Sequence, residues 1–187
     1  VEDTILTMVN NVVRETGSKR LCMAGGVALN SAANGRILRE TPVEELFIQP
    51  AAGDSGGALG AALYVYHVLL SQPRKFVQEH SYWGEDLTPG SSKSFLDTNG
   101  IAYEEYEDEE RLCQLIVDEL QLRKVVGHAH GRSEWGPRAL GNRSILADPR
   151  IPDMKNIINE KIKFREPFRP FAPAILEKNV ADYFDGL

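Results

Sequence analysis

The chain has 187 residues, 21 basic and 27 acidic, for a formal net charge of −6 at pH 7; that acidity argues against nonspecific nucleic-acid binding. Its 42% hydrophobic content suffices for one large domain or two small ones, and without a run of about 18 apolar residues neither a transmembrane helix nor a secretory signal is expected. Cys22 and Cys113 are isolated and lack metal-ligand spacing, so they read as free thiols of a reducing, cytoplasmic compartment.

Residues 3–16 are predicted to form an amphipathic helix with Ile5, Leu6, Val9, Val12 and Val13 on one face, ended by Gly17 and Ser18. RLCMAG then reads as a short buried strand, and GGVALNSAANGRILRE as a glycine turn opening a helix. Thr41-Pro42 breaks that helix, and ELFIQP is a second short strand. AAGDSGGALGAALYVYHVLL follows as a glycine-rich turn and a long apolar helix. Strand, helix, strand, helix over residues 19–70 is a pattern of α/β type, and its dense Ala and Gly permit close packing of helix on sheet. The start at Val1, which is not an initiator, and the end at YFDGL lead us to expect a piece of a longer protein.

Composition shifts after Leu70. Residues 73–130 carry six Lys/Arg against twelve Asp/Glu, and the Pro- and Gly-bearing residues 73–92 read as a connector. Residues 88–98 are predicted as a short helix with Thr88 as cap and Pro89 first, and residues 101–106 as a strand. EDEERLCQLIVDELQLRK is an amphipathic helix with acids in its first turn and bases at its end, as the macrodipole favours. The acidic run 104–110 is then a solvated strand end and helix start, not a metal site. VVGHAH reads as a buried strand.

That strand runs into GRSEWGPRALGNR, residues 131–143, where Arg132, Arg138 and Arg143 alternate with Gly131, Gly136 and Gly141. Glycine allows close backbone approach, and arginine offers a planar charged fork suited to phosphate and carboxylate. A second cluster, Lys161, Lys163, Arg165 and Arg169, lies in KIKFREPFRPFAP. Residues 131–170 hold nine Lys/Arg and five Asp/Glu, a local +4 within an acidic chain. Such an island predicts a compact anionic ligand, most simply a nucleotide. Trp135, Phe164, Phe168 and Phe171 lie among these charges and are expected to pack in the core. His128 and His130 flank the motif; either offers a base, and a packing role is the reading favoured for both. Two glycine turns precede it. AGGVALN, residues 24–30, presents backbone N–H groups to a phosphate or nucleoside. In AAGDSGGALGAA, Asp54 sits at a strand-to-helix turn, where a carboxylate either caps the helix, the reading favoured from these residues alone, or faces outward as a metal ligand.

AGGVALNSAANGRI, QPAAGDSGGALGAAL, GRSEWGPRALGNRSILADPR and IKFREPFRPFAPAIL, in that order, resemble the NodU/CmcH family of carbamoyltransferases, over roughly residues 21–176. The resemblance implies an α/β protein: the end of an actin/Hsp70-like ATPase-type domain at residues 1–72, the connector 73–92, and a partial YrdC-like domain at 93–187. It implies ATP and carbamoyl phosphate as co-substrates, carbamoyl-adenylate as intermediate, and transfer to a hydroxyl of a small-molecule acceptor, whether sugar, antibiotic or nodulation factor. Neither nucleic acid nor membrane is expected as a partner; the remainder of the protein's own chain is. The family's divalent metal, iron or magnesium, uses a His-x-x-x-His pair. None of His67, His80, His128 and His130 has that spacing, which leaves Asp54 as the single metal ligand expected here.

Adenylate formation brings two polyanions together and expels pyrophosphate, so cations must neutralise the reacting phosphates. Arg132, Arg138, Arg143 and Lys163 are assigned to that task, with Arg165 and Arg169 completing the cage around ATP. Gly25, Gly26 and Asn30 in the first glycine turn are assigned to the nucleotide. Asn142 and Ser144 are assigned to neutral hydrogen bonds with a carbamoyl oxygen or ribose. Glu134 is read as orienting an arginine or forming a surface ion pair. The competing reading is a nucleotide-binding or regulatory module with no chemistry of its own.

Overall fold

The computed structural model describes residues 1–184; the last three residues of the expected second domain lie outside them. In chain order the elements are α1 (Glu2–Thr16), β1 (Arg20–Met23), a 3-10 turn (Gly26–Leu29), α2 (Ser31–Glu40), β2 (Glu45–Ile48), α3 (Asp54–Tyr64) and β3 (Asp86–Leu87). Then come α4 (Pro89–Thr98), α5 (Glu109–Gln121), β4 (Val126–Ala129), β5 (Gly131–Arg132), β6 (Arg143–Leu146), α6 (Met154–Ile157) and α7 (Val180–Tyr183). The fold is mixed α/β. Val1–Thr88 with His130–Asn142 forms one compact unit, and Pro89–Ala129 with Arg143–Leu187 forms the other. The chain thus returns to the first unit for thirteen residues, His130–Asn142.

In the first unit β1 and β2 pair in parallel, Arg20 opposite Glu45 through Met23 opposite Ile48. Two apolar stripes build the core beside them: Ile5, Leu6 and Val9 of α1 meet Ala33 and Ile37 of α2, with Val43 between them. Val13, Leu21, Met23 and Leu46 pack on its margin. Gly17 ends α1 in the left-handed conformation, φ 71°, and its N–H returns to the carbonyl of Val13. The expected stripe is narrower than drawn. Val12 lies at its edge and is 46% exposed. The strands are also half-buried rather than buried. Arg20, Cys22, Glu45 and Phe47 alternate outward, as strand geometry dictates for a sheet covered on one side. The apolar helix α3 buries none of its side chains, so the close helix-on-sheet packing expected from its Ala and Gly is not formed.

In the second unit β4 and β6 pair antiparallel, with His128 opposite Ser144 and Ala129 opposite Arg143. Helix α5 begins as the charge pattern requires. Asp108 caps it through the N–H groups of Glu110 and Arg111, and Glu109 and Glu110 fill its first turn. Residues 101–106 are irregular, not the predicted strand. Their apolar and aromatic residues Ile101 and Tyr103 are both exposed, so nothing rewards the extended pairing their alternation allows. Among the described residues no helix is long and apolar enough to cross a membrane.

Candidate functional site

Three glycine-bearing segments, separated by up to a hundred residues, meet in the first unit. Gly25, at φ 99°, donates its N–H to the carbonyl of Ala52 at 2.7 Å. This joins the AGGVALN turn to the turn before α3. Gly26 opens the 3-10 turn, and Asn30 caps α2 by accepting from the Ala33 N–H at 3.2 Å. The Asn30 side chain assigned to nucleotide binding therefore has a structural employment already. Gly136, at φ 130°, lies against the second turn: a β-carbon there would sit 3.4 Å from the Ala51 methyl and from the Pro50 carbonyl. Arg138 reaches the first turn through Nη2, which donates to the Leu29 carbonyl at 3.4 Å.

Asp54 is the first residue of α3, and Gly53 is its cap. Gly53, not Asp54, holds the cap position, which corrects the favoured capping role: Asp54 stands one position too late for its oxygen to serve the helix's free N–H groups in the usual way. Its carboxylate is exposed at the positive end of the helix. Gly56 makes this turn possible, because a β-carbon there would lie 2.0 Å from the Ala51 carbonyl oxygen. Among the described residues no group of three or more His, Cys, Asp or Glu is placed to hold a metal. A lone carboxylate is an insufficient donor set for the divalent ion that the family implies.

The arginine loop is held from outside by the segment read as a connector. The Gly84 N–H donates to the Ser133 carbonyl, and the Ser133 N–H to Glu85, both at 2.9 Å. The Trp135 N–H donates to the carbonyl of buried Ser81 at 2.7 Å, and the Trp83 and Trp135 rings stack at 5.6 Å and 22°. Tyr82 donates its hydroxyl to the Leu140 carbonyl at 2.9 Å. Arg132 donates from Nε to Gly84 and from Nη2 to Trp83. Glu134 closes the loop on itself, accepting the N–H groups of Leu140 at 2.7 Å and Asn142 at 2.8 Å through one oxygen. Its role includes fixing backbone, beyond the ion pairing expected. Asn142 adds a bond from its amide to the Arg132 carbonyl. Sequence reasoning missed Tyr82 and Trp83; the one signal available was a Tyr-Trp pair inside an otherwise polar connector.

The remaining candidates belong to the second unit. Arg143 and Ser144 are half-buried on β6. α6 continues into a wider π-helical turn, Ile158–Ile162, and Lys163 follows it with its side chain in solvent. Arg165 is half-buried, its Nε donating to the Asn159 oxygen at 2.7 Å and its guanidinium lying 4.8 Å from the centre of the Phe171 ring. Arg169 pairs with Glu166 at 2.8 Å. The Glu166 backbone N–H first, and then that contact, hold the Glu166 carboxyl below its ordinary value. Phe164 and Phe168, expected in the core, are 83% and 75% exposed. Phe164 adopts φ 47°, an unusual conformation for a bulky residue. Trp135 is half-buried; Phe171, also expected in the core, lies under Arg165 but is 37% exposed; His128 is half-buried and His130 exposed. The packing role expected of His130 is therefore not realised.

One carboxylate in the basic region has a strongly perturbed proton affinity. Buried Asp148 takes the fork and the backbone N–H of Arg150, which hold it down at about 2. Neither Asp148 nor the fully buried Asn159 was singled out from sequence. The Asp-Pro-Arg spacing is the signal that could have found the former.

Residues 1–63 match the family described as Carbamoyltransferase N-terminus, and residues 117–187 match the one described as Carbamoyltransferase C-terminus. The two together take in most of the chain, which belongs to the carbamoyltransferase family. The chain is 43% identical over 193 residues to nodulation protein NolNO of Sinorhizobium fredii, covering 99% of this chain and 28% of that protein. It is 42% identical over 173 residues to nodulation protein NolO of Bradyrhizobium diazoefficiens, covering 92% and 31% respectively. An uncharacterised Synechocystis protein is 46% identical over 190 residues, covering 98% and 31%. The chain therefore spans under a third of the length of these curated relatives.

Proposed function

We propose that the intact protein carrying this chain is an ATP-dependent O-carbamoyltransferase of the cytoplasm, and that the described residues contribute anion-binding parts of its two catalytic regions. In this reading residues 1–72 end an actin/Hsp70-like transfer domain, and residues 93–187 belong to a YrdC-like adenylate-forming domain. Carbamoyl phosphate gives up its phosphate to water. The resulting carbamate oxygen bonds to the α-phosphorus of ATP as the bond to pyrophosphate breaks. The hydroxyl of a sugar or other small-molecule acceptor then attacks the carbonyl carbon; AMP leaves, and the hydroxyl proton goes to solvent or a base.

The observation that carries this reading, beside family membership, is how the motif cations are employed. Arg132 and Arg138 spend hydrogen bonds on backbone carbonyls, which fixes them without neutralising them. Arg165 is likewise held, through Nε by Asn159, and among the described residues no carboxylate pairs with Arg132, Arg138 or Arg165, whereas Arg169 of the second cluster pairs with Glu166. Cations held in place but left charged suit a phosphate-bearing ligand. Asn142, whose amide also donates to the Arg132 carbonyl, and Ser144 are the neutral groups assigned to the carbamoyl oxygen or ribose, and Gly25 and Gly26 permit close backbone approach. The deciding experiment is AMP and pyrophosphate formation from ATP by the intact protein, with and without carbamoyl phosphate. Formation dependent on carbamoyl phosphate, reduced about 10-fold or more by Arg138→Ala or Lys163→Ala, is expected. ATP binding without such formation would overturn it in favour of a nucleotide-binding module.

A further inference from the structure

We propose that Asn159 is a positioning residue that aims the free edge of Arg165 at the bound phosphates; this rests on the reading of the basic clusters as an ATP site. Asn159 is completely buried. Its amide oxygen accepts from Arg165 Nε at 2.7 Å. Its amide nitrogen donates to the Arg169 carbonyl at 3.0 Å and to the Pro167 carbonyl at 3.3 Å. Its backbone carbonyl accepts the Arg165 N–H at 2.9 Å. One side chain thus ties both ends of residues 165–169 together and grips the arginine by the nitrogen nearest its stem.

The consequence for Arg165 is geometric. Nε is committed to Asn159, and one face of the guanidinium lies over Phe171 at 4.8 Å. No hydrogen bond or ion pair engages Nη1 or Nη2 among the described residues, and this two-nitrogen edge is the fork that fits phosphate oxygens. A neutral amide suits the task for two reasons. It can accept from the arginine while donating to two carbonyls, which a carboxylate cannot do. It also leaves the guanidinium charge available to an anion. An unheld arginine would have to be ordered at the moment of binding, at a cost in affinity.

The test is a double-mutant cycle in the intact protein, read as ATP affinity by calorimetry. Arg165→Ala is expected to weaken ATP binding about 10-fold or more, and Asn159→Ala about 5-fold. The double variant should bind no more weakly than Arg165→Ala alone, because Asn159 acts through the arginine. Asn159→Asp keeps the acceptor but adds a charge beside Arg165, and should weaken binding more than Asn159→Ala. If Asn159→Ala does not fold, Asn159→Ser carries the same cycle. Losses that multiply in the double variant, or an Asn159 variant binding ATP normally while Arg165→Ala does not, overturn the positioning role alone. An Arg165→Ala protein with undiminished ATP affinity overturns the assignment of this cluster to the nucleotide, and the positioning role with it.

Discussion

The loop at residues 131–142 and the loop at residues 163–171 carry similar charge and are built in opposite ways. The first is held by residues far away in sequence: Ser81, Tyr82, Trp83 and Gly84 bond or stack against it, Pro50 and Ala51 abut Gly136, and Leu29 accepts from Arg138. The second is held from within, by Asn159 and Phe171 on its own flanks. A loop fastened by distant segments inherits every weakness of those segments. A loop fastened by a buried neighbour depends on one side chain. Cations of the same predicted role thus have different structural vulnerabilities.

The sharpest way to separate them is Gly56→Ala. The added carbon would lie 2.0 Å from the Ala51 carbonyl oxygen, a backbone atom that must then move. The expected cost is about 3 kcal/mol in urea unfolding, at the upper range for overpacking. Because Ala51 abuts Gly136, hydrogen exchange should accelerate across residues 131–142 and remain unchanged across 163–171. Equal acceleration in both loops would break the comparison.

A smaller effect is expected at Glu134. Removing its carboxylate in Glu134→Ala leaves the Leu140 and Asn142 N–H groups without this acceptor and should cost about 1.5 kcal/mol. Glu134→Gln keeps an acceptor oxygen and should lose about 0.5 kcal/mol. Denaturation midpoints of the two variants check the ranking, and exchange at the Leu140 and Asn142 amides shows where the loss falls.

The mildest probe is pH. Asp148 is held at about 2 by Arg150, below its ordinary 3.8. A depressed carboxylate contributes stability in full above its unfolded value, and loses it as pH falls through the folded one. The contribution should be present above about pH 4 and decline toward pH 2. Asp148→Asn should flatten this part of the acid profile. An unchanged acid limb in that variant would show that the pair does not matter to stability.

Much of the scaffold was legible in the sequence because it depends on neighbours along the chain. Helix α1 ends at Gly17 because only a left-handed residue closes it readily, and α5 starts at Asp108 because its carboxylate reaches two N–H groups within three residues. Strands β1, β2 and β4 declared themselves by short apolar runs between turns, and the family by ordered motifs rich in Gly and Arg. Residues 101–106 show where local pattern stops: their alternation permits a strand, but a strand forms only where a partner edge and a covering surface exist. The same limit applies to function. The sequence could name the cations of residues 131–169. Tertiary structure decided that Glu134 serves the backbone, that Phe164 and Phe168 stay in solvent, and that Trp83 stacks on Trp135. It also buried Asn159 beneath its loop to hold Arg165. Burial and long-range contact are set by which segments the folded chain brings side by side, and no local periodicity records that.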